Sequence, residues 1–501
     1  MTFLLEYCFT SYLALAASFL LFIFGYFFFK QHLYRQKYSH IPGPPTKGII
    51  EFLFGNFNSI VKCLADGNII PDLYVQWSKK YGDVFKFQIF MNYVIVTNEP
   101  DAIREILINK NYPKNEKIYS KIGFPYNERF MGLGLVTETN DERWRKRRQI
   151  FNPGFHRNVL VKCLGEFNEK TDQLLEKLRK ISDGKTEISL FKEINRMTLD
   201  IISSVAFGFC IDTINFPENE FSHNITGSFE AVNRCLTDPI FMINPFNYWK
   251  KRKYKKYIKD LRNFAKEKIL DRLKEIEDNE LSAPDDILTA IVTKCREDKI
   301  EIESLIDDFI TFFNAGQETT ANSIAFCFLE LGKNTHILPR LREEIDSVLG
   351  AKKEVTYEDL TKLEYTECVF KETLRLWPPA PEILRVSTDE LCIGGFKIPK
   401  NTQINLSPYF SGRNEKYFPN PNEFRPERFL NEVSSYSHFP FSLGPRNCIG
   451  RNFAMIESKI FIAKFVQNFD FKLKENQSFK PKLMTTLRPA DGTLCFISPR
   501  T

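Results

Sequence analysis

The sequence predicts a mainly α-helical domain with small β-sheets (α+β), preceded by one N-terminal transmembrane helix. Three observations carry this reading. No charged side chain occurs from Tyr7 to Phe29. Long stretches with helical apolar spacing fill the chain after residue 150, and β-forming residues are confined to short runs.

At the helical rise, the uncharged run spans roughly 34 Å, against about 30 Å of bilayer hydrocarbon. Lys30, His32, Arg35 and Lys37 follow at once, which keeps this flank cytosolic and puts the short amino terminus on the far side. A cleaved signal peptide is the competing reading, because Ala14-Leu15-Ala16 has a small-x-small form. The apolar run continues well past that site, however, which favours an anchor. Ile41-Pro42-Gly43-Pro44-Pro45 cannot extend a helix and forms a stiff joint. The expected division is therefore an anchor over 1–30, a basic flank and joint over 31–45, and a single domain over 46–501.

Within that domain, Val84 to Phe90 and Tyr93 to Thr97 flank Met91-Asn92 and read as a hairpin. Helices are expected over Val159–Lys180, Ile194–Phe207, Tyr254–Ile276, Glu303–Leu331, Tyr365–Trp377 and Ile449–Phe469. The charge-dense stretch from Lys250 to Glu280 reads as a solvated helix face. Before it, the apolar and aromatic run from Phe241 to Trp249 suits either core burial or contact with a membrane surface.

With 43% hydrophobic residues, the chain can build a sizeable core, and most of its 48 phenylalanines should fill it. The net charge of +6 is too small and dispersed to argue for nucleic acid, but it suits anionic lipid or an acidic protein partner. Eleven cysteines without a CxxC pair argue against a disulfide scaffold or zinc ribbon and favour a reducing compartment.

The most specific pattern is Phe441-Ser-Leu-Gly444-Pro-Arg446-Asn-Cys448-Ile-Gly450. Its five fixed positions should coincide by chance in roughly one chain in ten thousand. A cysteine at the start of a helix favours anionic sulfur, which peptide N–H groups can tune. Gly444 and Gly450 would let backbone come close to a bound group and to the sulfur. A second pattern is Ala315-Gly316-Gln317-Glu318-Thr319-Thr320, midway along a long helix. There Gly316 and the hydroxyls are expected to open the hydrogen-bond ladder locally. Glu372 and Arg375 share a helix face, and Arg425 is placed to complete a charge triad. Other ExxR spacings, such as Glu193 to Arg196 and Glu382 to Arg385, make that spacing alone worthless.

Together these residues resemble the cytochrome P-450 family, whose haem-binding loop has the form FxxGxRxCxG. The resemblance runs from the proline-rich joint to the helix beyond Gly450 and implies the cytochrome P-450 fold. It implies haem b, held non-covalently, with Cys448 as axial thiolate and metal ligand. A thiolate pushes electron density onto iron and favours O–O cleavage. By the same resemblance Arg446, Arg385, and the Trp144 and Arg148 pair contact haem propionates, and Phe441, Gly444 and Gly450 shape the loop. Glu318 and Thr319 inherit the acid–alcohol role that delivers protons to dioxygen. Glu372, Arg375 and Arg425 form a structural lock behind the haem. Arg145, Lys146 and Arg147 are expected to add a solvated basic face suited to an acidic reductase.

No flavin or nicotinamide fingerprint is present, so electrons would come from NADPH through a separate cytochrome P-450 reductase. The family further implies a lipophilic substrate and an endoplasmic-reticulum membrane location with the catalytic domain cytosolic. Gly134-Leu135-Val136, Phe309 to Asn322, Phe439 to Gly444 and Gly412-Arg413 look most like the cholesterol 24-hydroxylase branch. Fatty-acid hydroxylases are the near alternative. Many of these carry a haem-esterifying glutamate where this chain has Ala315, so no covalent attachment is expected. A non-catalytic haem carrier or sensor would be the reading from another class, but it would suit a broken acid–alcohol pair or a lost cysteine loop.

Overall fold

The computed structural model describes residues 28–278, 284, 286–297 and 300–500, together with 15, 18, 19, 21–23, 25 and 26. Most of the expected anchor, Tyr7 to Phe29, therefore lies outside the described residues. Among the described residues no helix is long and apolar enough to cross a membrane.

The expected hairpin forms as β1 (Val84–Ile89) and β2 (Asn92–Thr97), antiparallel, with Phe90 in the left-handed region at the turn. It is half of a four-stranded sheet completed by β3 (Ile383–Val386) and β4 (Gln403–Leu406). The order is β1-β2-β4-β3, and β2 pairs with β4 in parallel. The burial of Phe85, Phe87, Val94 and Val96 on one face and Ile95 and Ile404 on the other explains their β-branched and aromatic composition.

Six helices position the site. They are α1 (Asp141–Phe151), α2 (Leu190–Phe207), α3 (Tyr248–Asp278), α4 (Ile302–Lys333), α5 (Glu364–Leu376) and α6 (Arg451–Asn468). The stretch from Val159 to Lys180 is two helices, Arg157–Lys162 and Leu164–Arg179, because Cys163 leaves helical geometry between them. Asn140 caps α1, its Oδ1 accepting from the Arg143 N–H at 2.9 Å. Helix α2 ends where Gly208 turns left-handed.

Helix α4 is buried on every side from Thr320 to Leu331, polar residues included, as befits a helix surrounded by protein. Phe207, Phe309 and Phe313 pack together, with Phe207 and Phe313 stacked at 4.5 Å between centroids. Most of the large apolar side chains of this region are thus core, as composition suggests. Gly316 serves that packing: a Cβ there would meet the Ile202 Cδ1 at 3.0 Å, so its absence lets α2 lie close against α4.

The run from Phe241 to Trp249 divides. Phe241 is buried against Tyr126 and Tyr254, whereas Ile243 and Phe246 are 82% and 92% exposed, and Trp249 is also exposed. Lys250 and Arg252 stand beside them in solvent.

Candidate active site

A cavity of about 280 Å³ lies between the loop before α6, helix α4 and the start of α1. Of the described cysteines, only Cys448 lines it, together with Phe441, Gly450, Trp144, Arg148 and Arg446. The Cys448 N–H donates to the Phe441 carbonyl at 2.8 Å, which closes the loop under the sulfur. The sulfur is reachable from the cavity. Burial by the surrounding protein pushes the thiol pKa up, while the Gly450 N–H and the Arg148 and Arg451 charges pull it down. Helix α6 begins at Arg451 rather than Ile449, so Cys448 sits two residues ahead of the N-cap, Gly450.

The two glycines of the loop meet different neighbours. Gly444 has φ +74°, and a Cβ there would lie 2.0 Å from the Leu107 carbonyl oxygen. Its absent side chain thus serves close contact with a neighbouring backbone. A Cβ on Gly450 would be an ordinary 3.9 Å from the Cys448 Sγ, and the Gly450 N–H bonds to the sulfur.

Four cations crowd one end of the cavity. The Arg446 guanidinium stacks on Trp144 at 4.4 Å, donates to the Glu138 carbonyl at 2.8 Å and reaches Asp141 at 3.4 Å. Arg148 lies 5.9 Å from the same ring and donates to the Asn447 carbonyl oxygen at 2.8 Å. Arg385, on β3, is buried and donates to the Leu384 carbonyl. Lys114, not singled out from the sequence, lines the cavity and donates to the Val136 carbonyl. Burial, then the charges of Arg385, Arg446 and Arg148, pull the Lys114 ammonium well below its ordinary pKa. Burial likewise lowers Arg446 to about 10. Asp141 also pairs with Arg145, and Glu138 with Arg143, so the nearby carboxylates are shared.

These residues fit haem. The buried Nε atoms of Arg385 and Arg446 have no partner, and four desolvated cations beside one cavity call for anionic oxygens such as two propionates. Trp144, Phe441 and Phe453 supply flat apolar wall. Lys114 could not be found in advance, because nothing in its sequence neighbourhood says that Tyr119, Arg385 and Arg446 will surround it.

Across the cavity, α4 presents Thr311, Ala315, Gly316, Thr319, Thr320 and Ser323. The helix runs through Gly316 without interruption, so the expected opening of its ladder is not found. Thr319 instead donates its hydroxyl to the Ala315 carbonyl at 2.6 Å, and Ser323 to that of Thr319 at 2.9 Å; both are back-bonds that a helix accommodates. Glu318 is not on this wall. One residue along a helix turns the side chain by about 100°, and it faces Thr486 and Arg488 instead. Its Oε2 is buried without a partner, and burial lifts the carboxyl to about 7.

Behind the cysteine loop, Glu372 and Arg375 are fully buried and joined by two bonds of 2.6 and 2.7 Å. Arg375 also donates to the carbonyls of Gly412, Pro421 and Glu423, satisfying its fork. The third charge is Arg428, 3.4 Å from Glu372, whereas Arg425 contributes only its backbone N–H at 2.8 Å. The expected basic face is also revised. Arg145 and Lys146 are exposed and paired with Asp141 and Glu142, but Arg147 turns inward to a buried ion pair with Asp308.

The Cytochrome P450 family model matches residues 42–496. The chain is 33% identical to mouse (Mus musculus) Cytochrome P450 4V2 over 371 residues, 69% of this chain and 70% of that protein. It is 29% identical to Drosophila melanogaster Cytochrome P450 4d2, covering 87% and 90% of the two chains. Against dog (Canis lupus familiaris) Cytochrome P450 3A12 the identity is 28%, covering 92% and 91%. The protein belongs to the cytochrome P-450 family of haem-thiolate monooxygenases. Its cofactor is haem with a cysteine thiolate ligand, and the family is reductase-dependent.

Proposed function

We propose that this chain inserts one oxygen atom from dioxygen into a C–H bond of a lipophilic substrate, with Cys448 as the thiolate ligand and NADPH as electron source through a separate reductase. The observation that carries this is Cys448 facing an apolar cavity with Lys114, Arg148 and Arg446 on its wall and Arg385 close to Lys114. Haem ligated by thiolate supplies dioxygen activation when bound. The chain's own residues hold it and shape the reaction space. Arginine forks take the propionates, Trp144 and Phe441 exclude water, and the Thr319 hydroxyl stands on the cavity wall where it can hold a water or relay a proton. Glu318, protonated up to near neutral pH, is the proton reserve behind it.

A sterol is the substrate class we favour, on the likeness of Gly134 to Val136, Phe309 to Asn322 and Phe439 to Gly444 to the cholesterol 24-hydroxylase branch. Product analysis with a panel of sterols and fatty acids, using purified protein and reductase, separates this from fatty-acid hydroxylation. In the same preparation, Cys448→Ser should abolish the red-shifted absorption of the reduced, carbon-monoxide-bound form. An unchanged band would falsify Cys448 as ligand.

The proposed location is the endoplasmic-reticulum membrane, single-pass, with the domain in the cytosol. The uncharged run to Phe29 and its basic flank support this, and the exposed Ile243, Phe246 and Trp249 beside Lys250 and Arg252 suit a second, shallower lipid contact. Full-length protein should resist alkaline carbonate extraction. Release of the intact chain would end the anchor reading.

A further inference from the structure

Two adjacent acidic residues on α4, Asp307 and Asp308, are buried to 0% and 2% exposure, one helical turn from the cavity wall at Thr311. Neither belongs to the cysteine loop, the cation cluster or the lock. Both are fully engaged: each accepts a backbone N–H from the segment 131–138, and arginines from outside that segment hold the rest of each carboxylate.

The Leu133 N–H donates to the Asp307 carboxylate at 2.8 Å, and the Leu135 N–H to that of Asp308 at 2.9 Å. Asp307 is further held by Arg129 at 2.8 Å and by Arg262 of α3 at 2.8 Å, and Arg262 also donates to the Phe130 carbonyl. Asp308 takes the Nε and Nη2 of Arg147, whose fork also reaches the carbonyls of Leu133 and Ser304. There is no slack in this contact. A Cβ on Gly132 would fall 2.2 Å from the Asp307 carboxylate, and one on Gly134 would fall 2.2 Å from Thr311 Oγ1. Two glycines and two carboxylates thus press the loop onto α4.

The consequence lies at the cavity. Leu135 and Val136, the next residues of the loop, line it, as do Thr311 and Phe312 of α4 and Trp144 of α1, the helix that carries Arg147. We propose that Asp307 and Asp308 are positioning residues that set the size limit of the substrate cavity, by fixing how far Leu135 and Val136 project over it. This rests on the monooxygenase reading only in taking the cavity as the substrate space. Carboxylates suit the task because each accepts a loop N–H with one oxygen while the other oxygen is pinned by an arginine. A hydrophobic contact alone would hold the loop without fixing its register.

The test uses full-length haem-loaded protein, with Asp308→Asn and Asp307→Asn each preserving shape and one acceptor oxygen while removing the charge. Lys146→Ala, which breaks only the exposed pair with Glu142 on α1, is the control. The first readout is amide hydrogen exchange over residues 131–138, which does not depend on catalysis. The wild-type Leu133 and Leu135 amides should exchange slowly, and each Asn variant should speed them at least tenfold. The second is spectral titration with imidazole and with a bulky triaryl azole. Imidazole affinity should stay within twofold, while the ratio of bulky to small affinity should shift at least fivefold towards the bulky ligand. Fast exchange in the wild type overturns the proposal and needs no variant to fold. An unchanged affinity ratio alongside faster exchange, or equal effects in Lys146→Ala, overturns it as well. A wild type without the thiolate band would instead sink the monooxygenase reading and leave the exchange result standing.

Discussion

Replacing Glu318 with Gln tests the electrostatics of α4 directly. Burial raises this carboxyl from 4.5 to about 7, against the opposing pull of Thr486 and Arg488. Between those values the folded chain keeps a proton that the unfolded chain releases, so folded protein binds more protons and stability falls as pH rises through the window. Below it both states are protonated and nothing is lost; above it the penalty is complete. The span corresponds to about 3 kcal/mol. Gln has no proton to lose, so relative to wild type the variant should gain up to about 3 kcal/mol between pH 5 and pH 8. Urea midpoints followed by circular dichroism across that range measure the difference. Parallel stability curves for the two proteins would refute the reasoning, since they would mean that Glu318 ionises in the folded chain as it does in water. The same retained proton is what the proposed acid role requires near neutral pH.

Thr319→Ala should leave haem content and the thiolate spectrum intact but lower hydroxylated product per NADPH and raise peroxide release; equal coupling would make Thr319 a polar helix residue and nothing more. Glu372→Ala strands Arg375 and Arg428 in the interior and should cost about 3–5 kcal/mol, read as a lower urea midpoint. Arg425→Ala leaves its backbone N–H in place and should cost less than about 0.5 kcal/mol, so similar losses in the two variants would restore Arg425 as the third charge.

The elements with strong local patterns were legible in the sequence. The alternation on either side of Met91-Asn92 does become a hairpin, and the helices expected from 194, 254, 303 and 365 all form, longer or shifted by a few residues. The cysteine loop was legible because its spacing is rare. What escaped depends on where a side chain points after packing. Arg147 sits in a run of four basic residues and looks like its neighbours, yet the α1 turn sends it inward to Asp308 while Lys146 stays in water. Arg425 and Arg428 are three residues apart, and only the course of the chain after Glu423 decides which guanidinium reaches Glu372. Gly316 suggested a weakened helix, but glycine also admits a neighbouring helix, and Ile202 shows which use prevails. Glu318 and Thr319 are adjacent in sequence, and adjacency on a helix separates faces rather than joining them.

The parallel pairing of β2 with β4 has a consequence for the chain as it is being made. Val94 finds its partner at Gln403, about 300 residues later. At a synthesis rate of roughly 5–20 residues per second, that partner emerges about 15–60 s after β2. Throughout that interval the hairpin can close on β1 but keeps an unpaired edge at Val94, Ile95 and Val96, three β-branched residues that the finished domain buries completely. Nascent chains longer than the hairpin but shorter than 403 residues should therefore be the ones most dependent on chaperone cover, and arrest of translation within that range is where aggregation of this protein would begin.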